Sequence, residues 1–194
     1  MAEIINLHEY RIQRSATRLF APWKKRFEKD FDYFTRLQDL SDDILCALAK
    51  PGKISEAALQ EIVMAFLKLG PASKFPFLSP DEQFAAARNS ELFKEQVFFE
   101  IMRRLGWLEN YPCFRYSLIS ILESLDRNSE FCIGPLPVAS ACLPDFSEYE
   151  SLLPELRKKF LADRFDKALE SFQKRSNNKG RKEQRRSPQD CRER

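Results

Sequence analysis

The chain has 194 residues and a net charge of +3, with 43% hydrophobic and 31% charged residues, a balance that suits one folded domain with looser ends and excludes a wholly disordered or membrane-embedded chain. Its apolar residues are lopsided: 23 Leu and 17 Phe stand against 10 Ile, 3 Val and only 2 Thr, which disfavours an all-β fold or a large parallel sheet. Charge is segregated, with +4 on residues 1–29, +5 on residues 175–194 and −6 on the body between them, so the reading is an acidic body with two basic ends.

The first segment, 1–20, reads as a basic N-terminal arm or helix. Phe20, Trp23, Phe27, Phe31 and Phe34 then form an aromatic face on a helix that Pro22 starts or kinks. Arg11, Arg14, Arg18, Lys25 and Lys29 recur at helical intervals, with Pro22 in the missing place. On a continuous helix these five cations line the face opposite the aromatics. Ser41-Asp42-Asp43 predicts a cap and a short helix ending at Lys50, ahead of Pro51-Gly52. Ser55 is the expected cap of the next helix, whose Leu59, Ile62, Val63, Phe66 and Leu67 keep amphipathic spacing up to Gly70.

Ser79-Pro80-Asp81-Glu82 carries a capping hydroxyl, a first-turn proline and an acid at the third helical position. The helix it opens is expected to break near Asn89 and restart at Ser90, with Phe93, Val97, Ile101 and Leu105 on one stripe before a left-handed stop at Gly106. A helix after Pro112 carries Phe114, Leu118, Ile121, Leu122 and Leu125; the last and longest begins near Pro154 and carries Leu156, Phe160, Phe165, Leu169 and Phe172. Residues 131–146, apolar and broken by prolines, lack helical spacing and read as an extended strap packed along the bundle. Its Leu136, Val138 and Leu143 are also the candidates for a protein docking site. Residues 175–194 lack any aliphatic or aromatic residue to bury and are expected to be a disordered basic tail. The predicted architecture is therefore all-α: a single bundle of six to eight helices over 21–174, with the basic arm and tail at its ends.

The familiar catalytic and cofactor signatures are missing. The five glycines are at least 18 positions apart, whereas a dinucleotide fingerprint or phosphate-cradling loop needs them clustered. His8 is the one histidine, so multi-histidine zinc sites are excluded. Five cysteines without any CxxC pair point to a reducing compartment. Cys46 and Cys113 read as small buried hydrophobes, while Cys132 and Cys142 are spaced so that they could bridge under oxidising conditions. The N-terminus has no signal-peptide pattern and no run reaches 18 apolar residues, and a cytoplasmic location is expected. Asp30 with Asp32, and Asp42 with Asp43, are carboxylate pairs that lack a third ligand or are explained by a helix start. Glu95 and Glu100 flank an apolar face, where burial would raise a carboxyl pKa.

These features lead to a non-enzymatic helical interaction or regulatory protein with no cofactor, an unidentified protein partner for its body, and basic ends that contact an anionic partner. The residues for that contact are Arg11, Arg14, Arg18, Lys25 and Lys29, with Lys179, Arg181, Lys182, Arg185 and Arg186 in the tail. Two alternatives stand beside it. One is a nucleic-acid-binding protein that uses the Arg11–Lys29 stripe as a phosphate track. The other is an enzyme or ligand-binding protein with an apolar pocket inside the bundle, near Phe66, Phe93 and Phe98. Ser187, in Arg-Arg-Ser-Pro, is a candidate phosphate acceptor that would weaken any polyanion contact. The Ser41–Leu69 helix pair has a helix-turn-helix outline, but its second helix presents acids and alanines where a recognition helix brings basic and amide side chains.

Overall fold

The computed structural model describes the backbone of residues 7–110, 115–127 and 137–184, and the side chains of 14–109, 115–127 and 137–177. Among these residues the chain is an all-α bundle of eight helices: α1 (Leu7–Phe27), α2 (Asp42–Ala49), α3 (Lys53–Phe66), α4 (Pro80–Leu105), α5 (Leu118–Arg127), α6 (Phe146–Ser151), α7 (Pro154–Ala162) and α8 (Phe165–Gln184). Two short strands, β1 (Leu108–Asn110) and β2 (Val138–Ala139), pair antiparallel.

Helix α4 is the axis of the bundle. The Ser79 hydroxyl accepts from the Glu82 amide and the Glu82 carboxylate accepts from the Ser79 amide, so the capping box forms as expected. The expected break at Asn89 does not occur. Asn89 is buried within the helix, and the Ser90 hydroxyl donates back to the Ala86 carbonyl at 2.8 Å, so it serves no cap. The helix runs on for 26 residues and ends at Gly106, left-handed at φ 80°. Its length lets α2, α3, α5 and α8 all pack against it, which is why its apolar face is so wide.

The aromatic face of α1 enters this core. Trp23 is fully buried and donates its indole N–H to the Ala58 carbonyl of α3 at 2.7 Å. Phe20, Phe27, Phe31 and Phe93 surround it with ring centroids 5.6–6.3 Å away. The helix closes at Phe27 because Glu28 turns left-handed (φ 51°). Phe31 therefore joins the cluster from a loop, and Phe34 is left exposed instead of extending the face. Pro22 lies inside α1 and removes the amide that would meet the Arg18 carbonyl. Both residues are on the side away from the core, where water can satisfy that carbonyl. Ala16, Leu19 and Phe20 belong to the same core as Trp23, so α1 crosses the boundary drawn at residue 20 and its second half is part of the bundle.

Three helix limits differ from expectation. Gly52, not Ser55, is the N-cap of α3; Ser55 is buried in the first turn and its hydroxyl donates to the Leu48 carbonyl of α2. The segment 154–184 is two helices, not one, because the Arg164 amide turns to the Leu161 carbonyl at 3.1 Å. The Phe160 carbonyl is left facing the Arg164 guanidinium, which lies over the Phe160 ring and reaches Asp145 and Glu148. Third, α8 ends at Gln184, beyond Phe172, the last residue placed on this helix from its spacing. Its first turns are held by the buried Ala168, Leu169 and Phe172, whereas Ser176, Asn177, Asn178 and Gly180 beyond them are weak helix formers. Residues 185–194 lie outside the described part.

At the end of α3 the chain closes in a Schellman turn. The Lys68 and Leu69 amides donate to the Ala65 and Met64 carbonyls at 3.3 and 3.0 Å. Lys68 takes the left-handed position (φ 59°) that glycine usually fills, at a cost of about 1 kcal/mol for a residue with a Cβ.

Candidate anion-binding surface

The cations of α1 and the turn after it fall into two groups once their surroundings are known. Lys24 pairs with Asp30 at 2.5 Å. Arg26 meets both carboxylate oxygens of Glu61 on α3, at 2.5 and 3.0 Å, and this bidentate bond raises its pKa against the opposing effect of burial. Lys29 lies beyond the end of the helix and donates to the Asp39 carbonyl at 3.1 Å. The stripe is therefore shorter than the sequence suggests, since Lys29 is not on the helix and is tied to the loop that follows.

Arg14, Arg18 and Lys25 form the second group. All three are exposed, and at 100° per residue they project within a narrow arc opposite Phe20, Trp23 and Phe27. Among the described residues they have no ion pair or side-chain hydrogen bond. Arg11 extends the same face along the backbone of α1, but its side chain lies outside the described residues. In the tail, Lys179, Arg181 and Lys182 lie on the backbone of α8, whereas Arg185, Arg186 and Ser187 fall outside the described part. The one described contact of the tail is made by Arg175, whose guanidinium donates to the Arg104 carbonyl at the end of α4, at 2.6 Å.

Several carboxylates of the acidic body are engaged internally. Glu100 is fully buried, and its two oxygens receive Arg103 (2.7 and 2.8 Å) and Arg104 (2.8 Å). Arg104 also reaches Asp42 at 2.7 Å and the carbonyls of Leu37, Gln38 and Leu40 at 2.8–3.3 Å. Glu95 faces Lys158 at 3.1 Å. Asp42 thus serves both the start of α2 and the Arg104 site, and Asp32 accepts from Thr35 and the Phe34 amide in a local turn. These carboxylates hold the bundle together. Among the described residues no group of three or more His, Cys, Asp or Glu side chains is placed to hold a metal.

The other predicted sites are distributed as follows. Phe93 packs edge-on to Trp23, and Phe98 stacks on Phe165 with centroids 4.4 Å apart; both are buried in the core. Leu143 is buried, Val138 is half-exposed on β2, and Leu136 lies outside the described residues. Leu143 therefore plugs the core and is not available for docking. The strap around it is fixed by the Ser140 amide to the Trp107 carbonyl (2.9 Å) and by the Tyr149 hydroxyl to the Pro137 carbonyl (3.4 Å). Cys46 is buried and its thiol pKa is raised, chiefly by that burial; Cys142 is exposed, and Cys113 and Cys132 lie outside the described residues. No helix of the described chain is long and apolar enough to cross a membrane. Comparison with family models, curated proteins and solved structures finds no match, so the functional reading rests on the geometry of the chain itself.

Proposed function

We propose that the protein is a non-enzymatic, cytoplasmic interaction protein that holds an anionic partner on the outward face of α1, with the basic segment 179–186 adding a second contact. The supporting observation is the contrast along one helix and its exit turn. Lys24, Arg26 and Lys29 are each neutralised or hydrogen-bonded within the protein, whereas Arg14, Arg18 and Lys25 are presented to solvent without partners among the described residues. An aligned set of uncompensated charges raises the local concentration of anions and speeds their encounter. The face is not docked onto the acidic body, since Arg14, Arg18 and Lys25 are exposed and make no ion pair among the described residues.

Nucleic acid is the second reading, favoured by the alignment of the stripe with the helix axis, which lets successive cations follow a phosphate backbone. Fluorescence anisotropy of labelled mixed-sequence RNA, mixed-sequence DNA and a poly-glutamate peptide tests both, using the full chain and an R14E/R18E/K25E variant. Binding of any of the three at low salt, lost in the variant, is the expected result. A preference for RNA or DNA with a steep salt dependence selects the second reading, because each duplex phosphate neutralised contributes about 0.9 to the log–log slope. No binding at low salt, or equal binding by the variant, would overturn the assignment to α1.

A further inference from the structure

Beside the α1 stripe, two depressions meet on the face formed by α1, the end of α3 and α5. The first has a volume of about 580 Å3, within the range usual for small-molecule sites. Leu19, Ala65, Phe66 and Ile119 give it an apolar floor, and Ser15 and the half-buried Tyr33 add hydroxyls at its edge. The second, of about 630 Å3, continues past Pro22, Gly70 and Ser73. Arg18 and Lys68 line both, so two cations stand where the depressions join.

Neither cation has an ion pair or side-chain hydrogen bond among the described residues. The two carboxylates that line the depressions are already engaged: Glu61 chelates Arg26, and Glu123 pairs with Arg127 at 3.1 Å. Lys68 occupies the left-handed position of the Schellman turn, where glycine would fit without strain. Glu28 closes α1 in the same way, so this conformation ends the helix, and what points to a ligand is the apolar floor with two uncompensated cations at its edge.

We infer that this cleft binds an amphipathic monoanion, a hydrocarbon chain ending in a carboxylate, with the chain over Leu19, Phe66 and Ile119 and the head group between Arg18 and Lys68. The charge complementarity is specific: an apolar floor alone would accept neutral chains equally, whereas two unpaired cations at its junction favour a charged head. The inference does not depend on the polyanion reading, because Lys68 lies outside α1 and only Arg18 is shared.

Displacement of 11-(dansylamino)undecanoic acid from the full-length protein tests it, with decanoate and 1-decanol as competitors. Saturable probe binding is expected, with decanoate displacing at least tenfold better than decanol. Lys68→Gly should raise the melting temperature, since glycine fits the turn, while weakening decanoate at least tenfold. Arg18→Gln should weaken decanoate similarly. Equal displacement by decanol, no saturable probe binding, or unchanged decanoate affinity in both Lys68→Gly and Arg18→Gln would overturn the proposal. The polyanion reading is separable, because Lys68→Gly, which leaves the α1 face intact, should weaken decanoate and keep polyanions.

Discussion

Arg104 shows how one side chain can organise a domain. Its guanidinium joins the buried Glu100 to Asp42 at the start of α2 and to three carbonyls of the turn before it. Its own carbonyl accepts from Arg175 on α8. Arg104→Met removes one of the two arginines on the buried Glu100 and the donor shared by the Leu37, Gln38 and Leu40 carbonyls, and losing a donor to buried acceptors of this kind typically costs about 1–3 kcal/mol. Arg104→Lys should recover less than half of that loss, because an ammonium cannot span the same fork of acceptors. Arg127→Ala is the contrast: its pair with Glu123 is solvent-exposed, and the expected change is below about 1 kcal/mol. Urea unfolding of the three variants checks the ordering, and a stable Arg104→Met would contradict the role given to this site. Nothing in the spacing of Arg104 announces it, since its partners at 37–42 and 175 come together only in the folded chain. The place of Glu100 on the apolar flank of α4 was the available signal, with Arg103 and Arg104 one turn away.

At the scale of elements, local chemistry was legible wherever it was self-contained. The Ser79–Glu82 box, the Ser41 cap of α2 and the Gly106 stop each depend on a few adjacent residues, and each forms as the sequence suggests. The departures arise where a distant group captures a local one. Ser55 bonds to Leu48 of the preceding helix, Arg164 bonds to Asp145 and Glu148 and bends the chain there, and Glu28 turns left-handed before the aromatic pattern ends. The capping box also supplies a pH prediction. Hydrogen bonds from the Ser79 hydroxyl and amide hold the Glu82 carboxyl below its ordinary value, so the ionised form is favoured in the folded state. Its contribution is present above the unfolded value of about pH 4.3 and is lost as pH falls through the depressed folded value. The melting-temperature gap between the wild type and Glu82→Gln should therefore be open at pH 7 and narrow towards pH 3. A gap that is constant with pH would show that the carboxylate contributes nothing to the cap. Ser79→Ala, by comparison, should cost about 1 kcal/mol at neutral pH.

For the whole molecule, the separation of charge is the organising feature. The interior carboxylates and arginines neutralise each other, while the outward face of α1 keeps three cations without partners. The alignment of Arg14, Arg18 and Lys25 was legible from helical arithmetic. Which neighbouring cations were already neutralised was not, because Glu61 and the Asp39 carbonyl reach Arg26 and Lys29 only through the tertiary fold. Lys68 carried no periodic signal at all: its place on the cleft depends on how α3 ends against α1. The central claim is that anions meet this protein on that face of α1. Amide chemical-shift mapping of the full-length chain, titrated with a short polyanion at low salt, tests it most directly. The account predicts shifts concentrated on residues 14–25, with a second set at 179–186, that vanish as salt is raised; shifts confined to the acidic body, or none on α1, would contradict it.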